Sequence, residues 1–206
     1  MKIRSTIIVG AAFSICHLAG ASQADDTTIT ITGQTPGVTP FINQLTLIAS
    51  DTTVIKSIQF TITLKPGSVT RPLSGTYSND YLVSRGFEHP PATEIVLPVY
   101  GLYDGYANTV RLTYLFLDGS SKQDSTTITT AVFDDPCGYN NPTFLQHRTS
   151  STDLSYDYIL IKGSCSGFSP AIIDTDGALR WVSTTAPNFI SFPATFFDNA
   201  VYYAHG

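Results

Sequence analysis

Short runs of β-branched and aromatic residues that alternate with polar residues constrain the fold more than any other feature of this sequence. They lie at residues 27–32, 44–49, 55–64, 94–100, 108–117 and 125–133. Alternation with a period of two residues predicts strands that bury one face and expose the other. No run of ten or more residues has a convincing helical period, so we predict an all-β chain.

Glycine-containing turn sequences separate these runs. Pro66-Gly67, Asp104-Gly105 and Asp118-Gly119 each stand between two predicted strands. Six short strands in about 110 residues, most with one apolar face, predict a β-sandwich. Residues 74–91 are less regular, and we predict that their "GFEHPP" tip is an exposed loop.

The composition changes at "FDDPCGYNNPTF", residues 133–144, where Pro, Gly and Asn cluster. We therefore place a domain boundary near Asp135, with one domain at 25–135 and a second region at 136–206. Further short strands are predicted at 156–162, 170–173, 178–183 and 200–204. Short, evenly spaced strands joined by tight turns are typical of a propeller blade.

The first 24 residues predict a signal peptide. Lys2 and Arg4 precede the apolar run 7–18, and the small residues of "SQA" at 22–24 suit a cleavage site. We therefore expect a periplasmic or secreted protein. A membrane anchor is the alternative, but the apolar run is short for a bilayer span.

Charge argues against two classes of partner. Cleavage after residue 24 removes two positive charges and no acidic ones, which takes the formal net charge from −5 to −7. The sequence has no Lys/Arg cluster. We therefore expect neither nucleic acid nor an anionic membrane surface as a partner.

Two cysteines remain once Cys16 leaves with the signal peptide: Cys137 and Cys165. An even count in an exported chain favours one disulfide. This bridge would close a loop of about 28 residues and stabilise the fold by roughly 3 kcal/mol. The alternatives are two free thiols or a metal-binding pair, and the second lacks further His or Cys at ligand spacing.

The stretch "AIIDTDGALRWV", residues 171–182, begins like a calcium loop. Its glycine comes two positions too early for an EF-hand, and Thr185 stands where the bidentate Glu is required. A hairpin explains the stretch better, with Asp176-Gly177 as the tight turn. We therefore predict a hairpin with no metal, and Trp181 as a core anchor between blades.

Three segments resemble the bacterial arylsulfate sulfotransferase family. "CGYNNPTF" and "YDYILIKGSCSGFSPAIIDTDGALRWV" resemble the junction after that family's small N-terminal domain. "LPVYGLYDGYANTVRLTY", residues 97–114, is similar to the last part of that domain. The resemblance covers roughly residues 85–205, whereas residues 25–81 match only in being rich in strands.

The resemblance implies an exported enzyme with an N-terminal Ig-like β-sandwich and a six-bladed β-propeller. Such enzymes move a sulfuryl group from an aryl sulfate to a phenol through a transiently sulfated histidine. A neutral imidazole is a competent nucleophile, and cations stabilise charge on the sulfuryl oxygens. The fold class is thus an Ig-like sandwich followed by about one blade of a truncated propeller.

The family's catalytic residues lie on later blades, so the resemblance assigns none of them here. His89, His147 and His205 are the histidines after residue 24, and none aligns with the nucleophile. We read His147 and Arg148 as a solvated loop pair, and His205 as part of a strand or turn that continues in longer relatives. We expect no catalytic, cofactor-binding or metal-binding residue in this chain.

A lone blade is expected to be poorly stable, because blades bury their apolar faces against neighbours. The aromatic residues Trp181, Phe189, Phe192, Phe196 and Phe197 would then lack a partner surface. The sequence is therefore expected to be the front piece of a larger protein, either a truncated gene model or a decayed gene.

Three functions from different classes follow. The first is the N-terminal part of an exported arylsulfate sulfotransferase, inactive alone, with aryl sulfate and phenol as substrates only of a complete propeller. The second is a non-catalytic exported Ig-like module for binding or assembly, which leaves a homodimer open. The third, a hydrolase using Cys165 of "GSCSG" with His147, ranks last because it requires a free thiol.

Overall fold

Antiparallel sheets account for almost all regular structure in this protein. The structure is a computed structural model, and it describes residues 22–88, 93–152, 154–162, 167–184, 194–197 and 200–203. The two helices found there have four and six residues. The predicted all-β class is therefore confirmed. Most of the predicted signal peptide lies outside the described residues, as do His89, Cys165, Phe189, Phe192 and His205.

Seven strands form two sheets that face each other. The first sheet has the order β1-β2-β5, and the second has the order β4-β3-β6-β7. The bounds, with the two short helices, are α1 Gln23–Asp26, β1 Ile29–Pro36, β2 Ile42–Ala49, β3 Ile55–Ile62, β4 Ser74–Ser78, α2 Asn79–Ser84, β5 Glu94–Tyr100, β6 Ala107–Phe116 and β7 Ser121–Thr129. Every pairing between these strands is antiparallel.

The core lies between these two sheets and follows the alternation in the sequence. In β6 every second residue from Asn108 to Phe116 is buried, and the residues between them are partly or fully exposed. Strands β2, β3 and β5 show the same alternation over most of their length. Each fully buried aliphatic or aromatic side chain contributes roughly 1.5–3 kcal/mol through the hydrophobic effect. The sandwich predicted from the period-two pattern therefore buries its apolar residues as expected.

The region that looked irregular, residues 74–91, contains both β4 and α2. Ser78 starts the helix, because its side chain accepts a hydrogen bond from the Tyr81 N–H. Leu82 anchors the helix in the core with no exposed surface. The predicted exposed loop is wrong for Glu88, which is buried and bridges to Ile95. The rest of that tip lies outside the described residues.

Beyond the sandwich the described residues form two small sheets. The first has the order β10-β9-β8, built from β8 Tyr158–Ile161, β9 Ala171–Asp174 and β10 Leu179–Val182. The second pairs β11 Ala194–Phe197 with β12 Ala200–Tyr203, and β11 was not predicted. We call the first of them the junction sheet.

The junction sheet packs directly against the sandwich. Phe41, in the turn between β1 and β2, is fully buried in a second apolar cluster with Ile173, Leu179 and Val182. In return, Ala178 from the turn of the junction sheet packs against the sandwich core. Each body therefore contributes a side chain to the core of the other.

The first described residues also contact the sandwich. The Gln23 N–H donates to Asp118 (2.8 Å), and the Asp118 N–H donates to the Gln23 side chain (3.0 Å). Ala24 packs against the sandwich core. Neither described helix is long or apolar enough to cross a membrane.

Asn108 ties the β5–β6 connection to the core. It is fully buried; its Oδ1 accepts from the Tyr103 N–H (2.8 Å), and its Nδ2 donates to the carbonyls of Tyr103 (2.9 Å) and Tyr106 (3.1 Å). We expect Asn108→Ala to lower the free energy of unfolding by about 3 kcal/mol, because it leaves buried backbone groups without a hydrogen-bond partner. Urea unfolding measures this change.

Thr109→Ala, one position along the same strand, is the matched control because Thr109 is exposed. Its effect should stay within about 0.5 kcal/mol. Equal effects of the two substitutions would contradict the role assigned to Asn108.

Candidate functional site

The Asp-Thr-Asp-Gly stretch forms the turn of the β9–β10 hairpin. The Gly177 N–H donates to the Asp174 carbonyl (2.9 Å), and the Asp174 N–H donates to the Ala178 carbonyl (2.9 Å). Gly177 has φ +87°, a conformation that favours glycine. The structure thus has the predicted hairpin, but its turn is centred on Thr175 and Asp176, with Gly177 following them.

Both carboxylates of this turn are used by protein donors. Oδ1 of Asp174 accepts from the N–H groups of Asp176 (3.1 Å) and Ala178 (2.9 Å), and its Oδ2 accepts from Arg180 (2.8 Å). Burial raises the pKa of Asp174, and the Arg180 guanidinium opposes this rise. No group of three or more potential metal ligands is found among the described residues.

Arg180 carries a deeply buried charge at the junction, with 1% of its side chain exposed. Its Nε and Nη2 donate to the carbonyl of Gly101 (2.9 and 2.6 Å), and its Nη1 donates to Asp174. The guanidinium also lies 3.7 Å from the ring centroid of Tyr103. The Arg180 side chain of the junction sheet is therefore hydrogen-bonded to the backbone of the sandwich and stacked on one of its aromatic rings.

Asp176 points the other way, into a loop of the sandwich. Its Oδ2 accepts from the N–H groups of Val69 and Thr70 (both 3.1 Å), from the Thr70 hydroxyl (2.7 Å) and from the Ser68 hydroxyl. These hydrogen bonds outweigh desolvation and lower the pKa of Asp176. Successive N–H groups of this kind form a nest for a carboxylate.

A third carboxylate, that of Asp157 just before β8, joins the segment between β7 and β8 to the sandwich. It accepts from the Arg71 N–H (3.1 Å) and from the guanidinium groups of Arg71 and Arg148. These donors lower the pKa of Asp157 despite its burial. The Arg148 guanidinium also donates to the Thr175 hydroxyl (2.9 Å).

The predicted solvated pair of His147 and Arg148 is half wrong. His147 is exposed, and its ring stacks on Phe144 with 4.7 Å between centroids. The Arg148 side chain is 9% exposed and paired with Asp157. His147 is therefore directed outward and Arg148 inward.

Clefts lined by described residues lie on either side of the junction. The first has a volume of about 300 Å³, and Arg71, Tyr158 and Trp181 are among the residues that line it. Trp181 is half-buried there, which differs from the predicted core anchor. The second cleft, of about 350 Å³, is lined by Lys65, Pro66, Gly67, Ser68, Val69, Tyr103, His147, Arg148, Thr175, Asp176 and Ala178. We call it the lysine cleft.

Cys137 is disulfide-bonded in the structure. Its pairing with Cys165 stays a prediction, because Cys165 lies outside the described residues. The same holds for any role of His89 or His205.

The sequence prediction missed the residues that meet at the junction. Ser68, Thr70 and Arg71 lie in the sandwich, whereas Asp157 and Arg180 lie within the segment that resembles the family junction. A signal was present in "ALRWV", where a lone arginine interrupts an apolar strand. Such a charge is either exposed or paired, and the sequence alone does not say which.

We expect Arg180→Met to lower the free energy of unfolding by about 3–5 kcal/mol, because Asp174 is left as an unpaired buried charge. The double variant Arg180→Met with Asp174→Asn should recover part of that loss. Arg111→Met is the control, since Arg111 is exposed, and it should change the free energy by less than about 0.5 kcal/mol. If urea titrations gave Arg180→Met and Arg111→Met equal losses of unfolding free energy, the role of the buried pair would be contradicted.

A pH dependence follows from the lowered pKa of Asp176. A carboxyl whose folded-state pKa lies below its unfolded value of 3.8 stabilises the fold above that pH and loses this effect as the pH falls further. The stability difference between the parent chain and Asp176→Asn should therefore shrink below about pH 4. Subtracting the unfolding free energy of the variant from that of the parent chain cancels the contributions of Asp157 and Asp174. The raised pKa of Asp174 would otherwise act in the opposite sense. A difference independent of pH between 7 and 3 would refute this assignment.

Comparison with known proteins adds one match. Residues 37–131 match the model of the arylsulfotransferase Ig-like domain. The match begins in the β1–β2 turn and ends just after β7, so it covers most of the sandwich. The junction sheet lies outside it. No curated protein matches the chain.

Proposed function

We propose that this chain is the N-terminal part of an exported arylsulfate sulfotransferase. Residues 37–131 make it a member of the arylsulfotransferase family through its Ig-like domain. The family-model match is the observation that carries the proposal. The residues that resemble the family junction, 137–182, support it from outside the matched region.

The proposed reaction transfers a sulfuryl group between two phenolic oxygens. The imidazole of a histidine attacks sulfur, an S–N bond forms, and the S–O bond of the aryl ester breaks to release a phenolate. The acceptor phenol then attacks the same sulfur, loses its proton, and the S–N bond breaks. Imidazole suits the nucleophile, and cations suit the oxygens of the transferred group.

The described part of this chain has a positioning role in the proposal. We assign β8, β9 and β10 to the beginning of a propeller, and the sandwich to the support on which they rest. The carbonyl of Gly101 and the nest of residues 68–70 bind this sheet through Arg180 and Asp176. Fixing the first sheet of a propeller sets the direction in which later blades are added.

The same residues argue that this chain alone does not transfer sulfuryl groups. His147 is exposed and stacks on Phe144, away from the buried guanidinium of its neighbour Arg148. The guanidinium groups of Arg148 and Arg180 are already bound by Asp157 and Asp174. Neither arginine is therefore free to stabilise charge on a sulfuryl group beside His147.

A second candidate function is a non-catalytic binding or assembly module. The outer face of the four-stranded sheet favours it, because hydroxyl and amide side chains run across all four strands. One row follows the register Thr76, Gln59, Thr113 and Gln123. A face with few charges loses little solvation when a polar partner covers it.

The intact mass of the natural protein from the exported fraction separates the two candidates. The proposal predicts a mass well above that of residues 25–206, since a sulfotransferase requires further blades. A mass equal to residues 25–206, lower by two protons for a disulfide, would favour the binding module instead.

An activity assay supplies the second arm of this test. Purified residues 25–206, supplied with 4-nitrophenyl sulfate and phenol, should release nitrophenolate at the uncatalysed rate. The natural protein of higher mass should release it in proportion to the acceptor consumed. Acceptor-dependent release by residues 25–206 would contradict the proposed inactivity of this part.

A further inference from the structure

The lysine cleft holds a cation, Lys65, that forms no ion pair within the described part of the chain. The Lys65 ammonium lies 4.7 Å from the ring centroid of Tyr103 and 4.9 Å from that of Tyr106. The ion pairs found among the described residues involve Arg71, Arg148 and Arg180, but not Lys65. The ammonium is thus positioned by two aromatic rings, with its charge left for another partner.

Two residues that line the cleft each carry a buried donor without an acceptor in the described part of the chain. The Tyr103 hydroxyl and the Nε of Arg148 are buried without a hydrogen-bond partner within the part of the chain that the structure describes. Tyr103 is 2% exposed, and the Arg148 side chain is 9% exposed. Buried polar groups in proteins nearly always have a partner, so an orphan donor calls for an explanation such as a bound ion or water.

The acidic residues near the cleft are already occupied. Oδ2 of Asp176 accepts four hydrogen bonds from residues 68–70, and Asp157 is paired with Arg71 and Arg148. Among the residues that line the cleft, Lys65 and Arg148 carry positive charges and Asp176 carries the negative one. The cleft is therefore locally positive in a chain whose formal net charge is −5.

We propose that the lysine cleft binds a small tetrahedral oxyanion, sulfate or phosphate, either free or as the end of a monoester. Lys65 supplies the charge, and Tyr103 and Arg148 supply donors from two other segments of the chain. A tetrahedral ion presents oxygens in several directions, so it can accept from donors on separate elements of the chain. This site lies at the junction, and the inference goes beyond the proposed function.

Equilibrium dialysis of the full chain against ³⁵S-labelled sulfate tests the proposal directly. The buffer keeps ionic strength constant with chloride, because screening weakens any contact with an exposed cation. Thermal stabilisation is not a suitable readout, since sulfate stabilises folded proteins in general by exclusion from their surface. The expected result is saturable binding with one site per chain.

Lys65→Met is the critical variant, because methionine keeps the apolar contact with both tyrosine rings and removes the charge. It should weaken sulfate binding at least about tenfold, as expected for the loss of a charge-assisted contact. Lys65→Arg should retain binding within a few-fold. Lys56→Met, on the exposed side of β3, is the matched control and should bind like the parent chain.

Competition distinguishes the sources of the anion. Displacement of labelled sulfate by phenyl sulfate shows that the cleft takes the end of an ester, whereas displacement by inorganic phosphate alone shows a site for free ions; both support the proposal. An absence of saturable binding to the parent chain overturns it. Equal binding by the parent and by Lys65→Met, with both folded by near-ultraviolet circular dichroism, overturns it too.

Discussion

The buried guanidinium of Arg180 is the contact on which the arrangement of the two bodies depends. It joins the carbonyl of Gly101 in the sandwich to Asp174 in the turn of the junction sheet, and it stacks on Tyr103. A buried charge is costly unless it is fully paired, so moving the sheet away would expose or orphan both partners. The junction therefore has a single preferred geometry, which Phe41 reinforces by packing into the second core.

This arrangement explains why the turn contains the residues Asp-Thr-Asp-Gly. A turn of this composition resembles the start of a metal loop, yet each carboxylate is satisfied by the chain itself. Asp174 accepts a hydrogen bond from the buried Arg180, and Asp176 accepts hydrogen bonds from the nest formed by residues 68–70. In a chain with only 13% charged residues, this concentration of ion pairs at one junction points to a structural connection rather than to a solvated surface. The sandwich and the sheet that follows it thus act as one unit.

The strands were predictable where one face is buried, because apolar and polar residues then alternate along the sequence. Residues 94–100 were predicted with the bounds that β5 has, and β6 differs from its prediction by one residue at each end. Strand β4 was missed because Gly75 is its only fully buried residue, which leaves no apolar alternation to detect. The junction was missed for another reason: the Arg180 side chain and the Gly101 carbonyl lie 79 residues apart, and no local pattern encodes their contact. The hairpin itself was predictable, since its glycine marks the turn.

The account rests on the docking of the hairpin turn onto the sandwich, and a double-mutant cycle measures that contact alone. The pair is Asp176→Asn with Thr70→Val, since the Thr70 hydroxyl donates to Asp176 over 2.7 Å and Thr70 is buried. Unfolding free energies of the parent, both single variants and the double variant give the coupling. We predict a coupling of about 1 kcal/mol or more at pH 7, as for residues in one hydrogen-bonded network. Additive effects, with a coupling below about 0.3 kcal/mol, would contradict the docked junction.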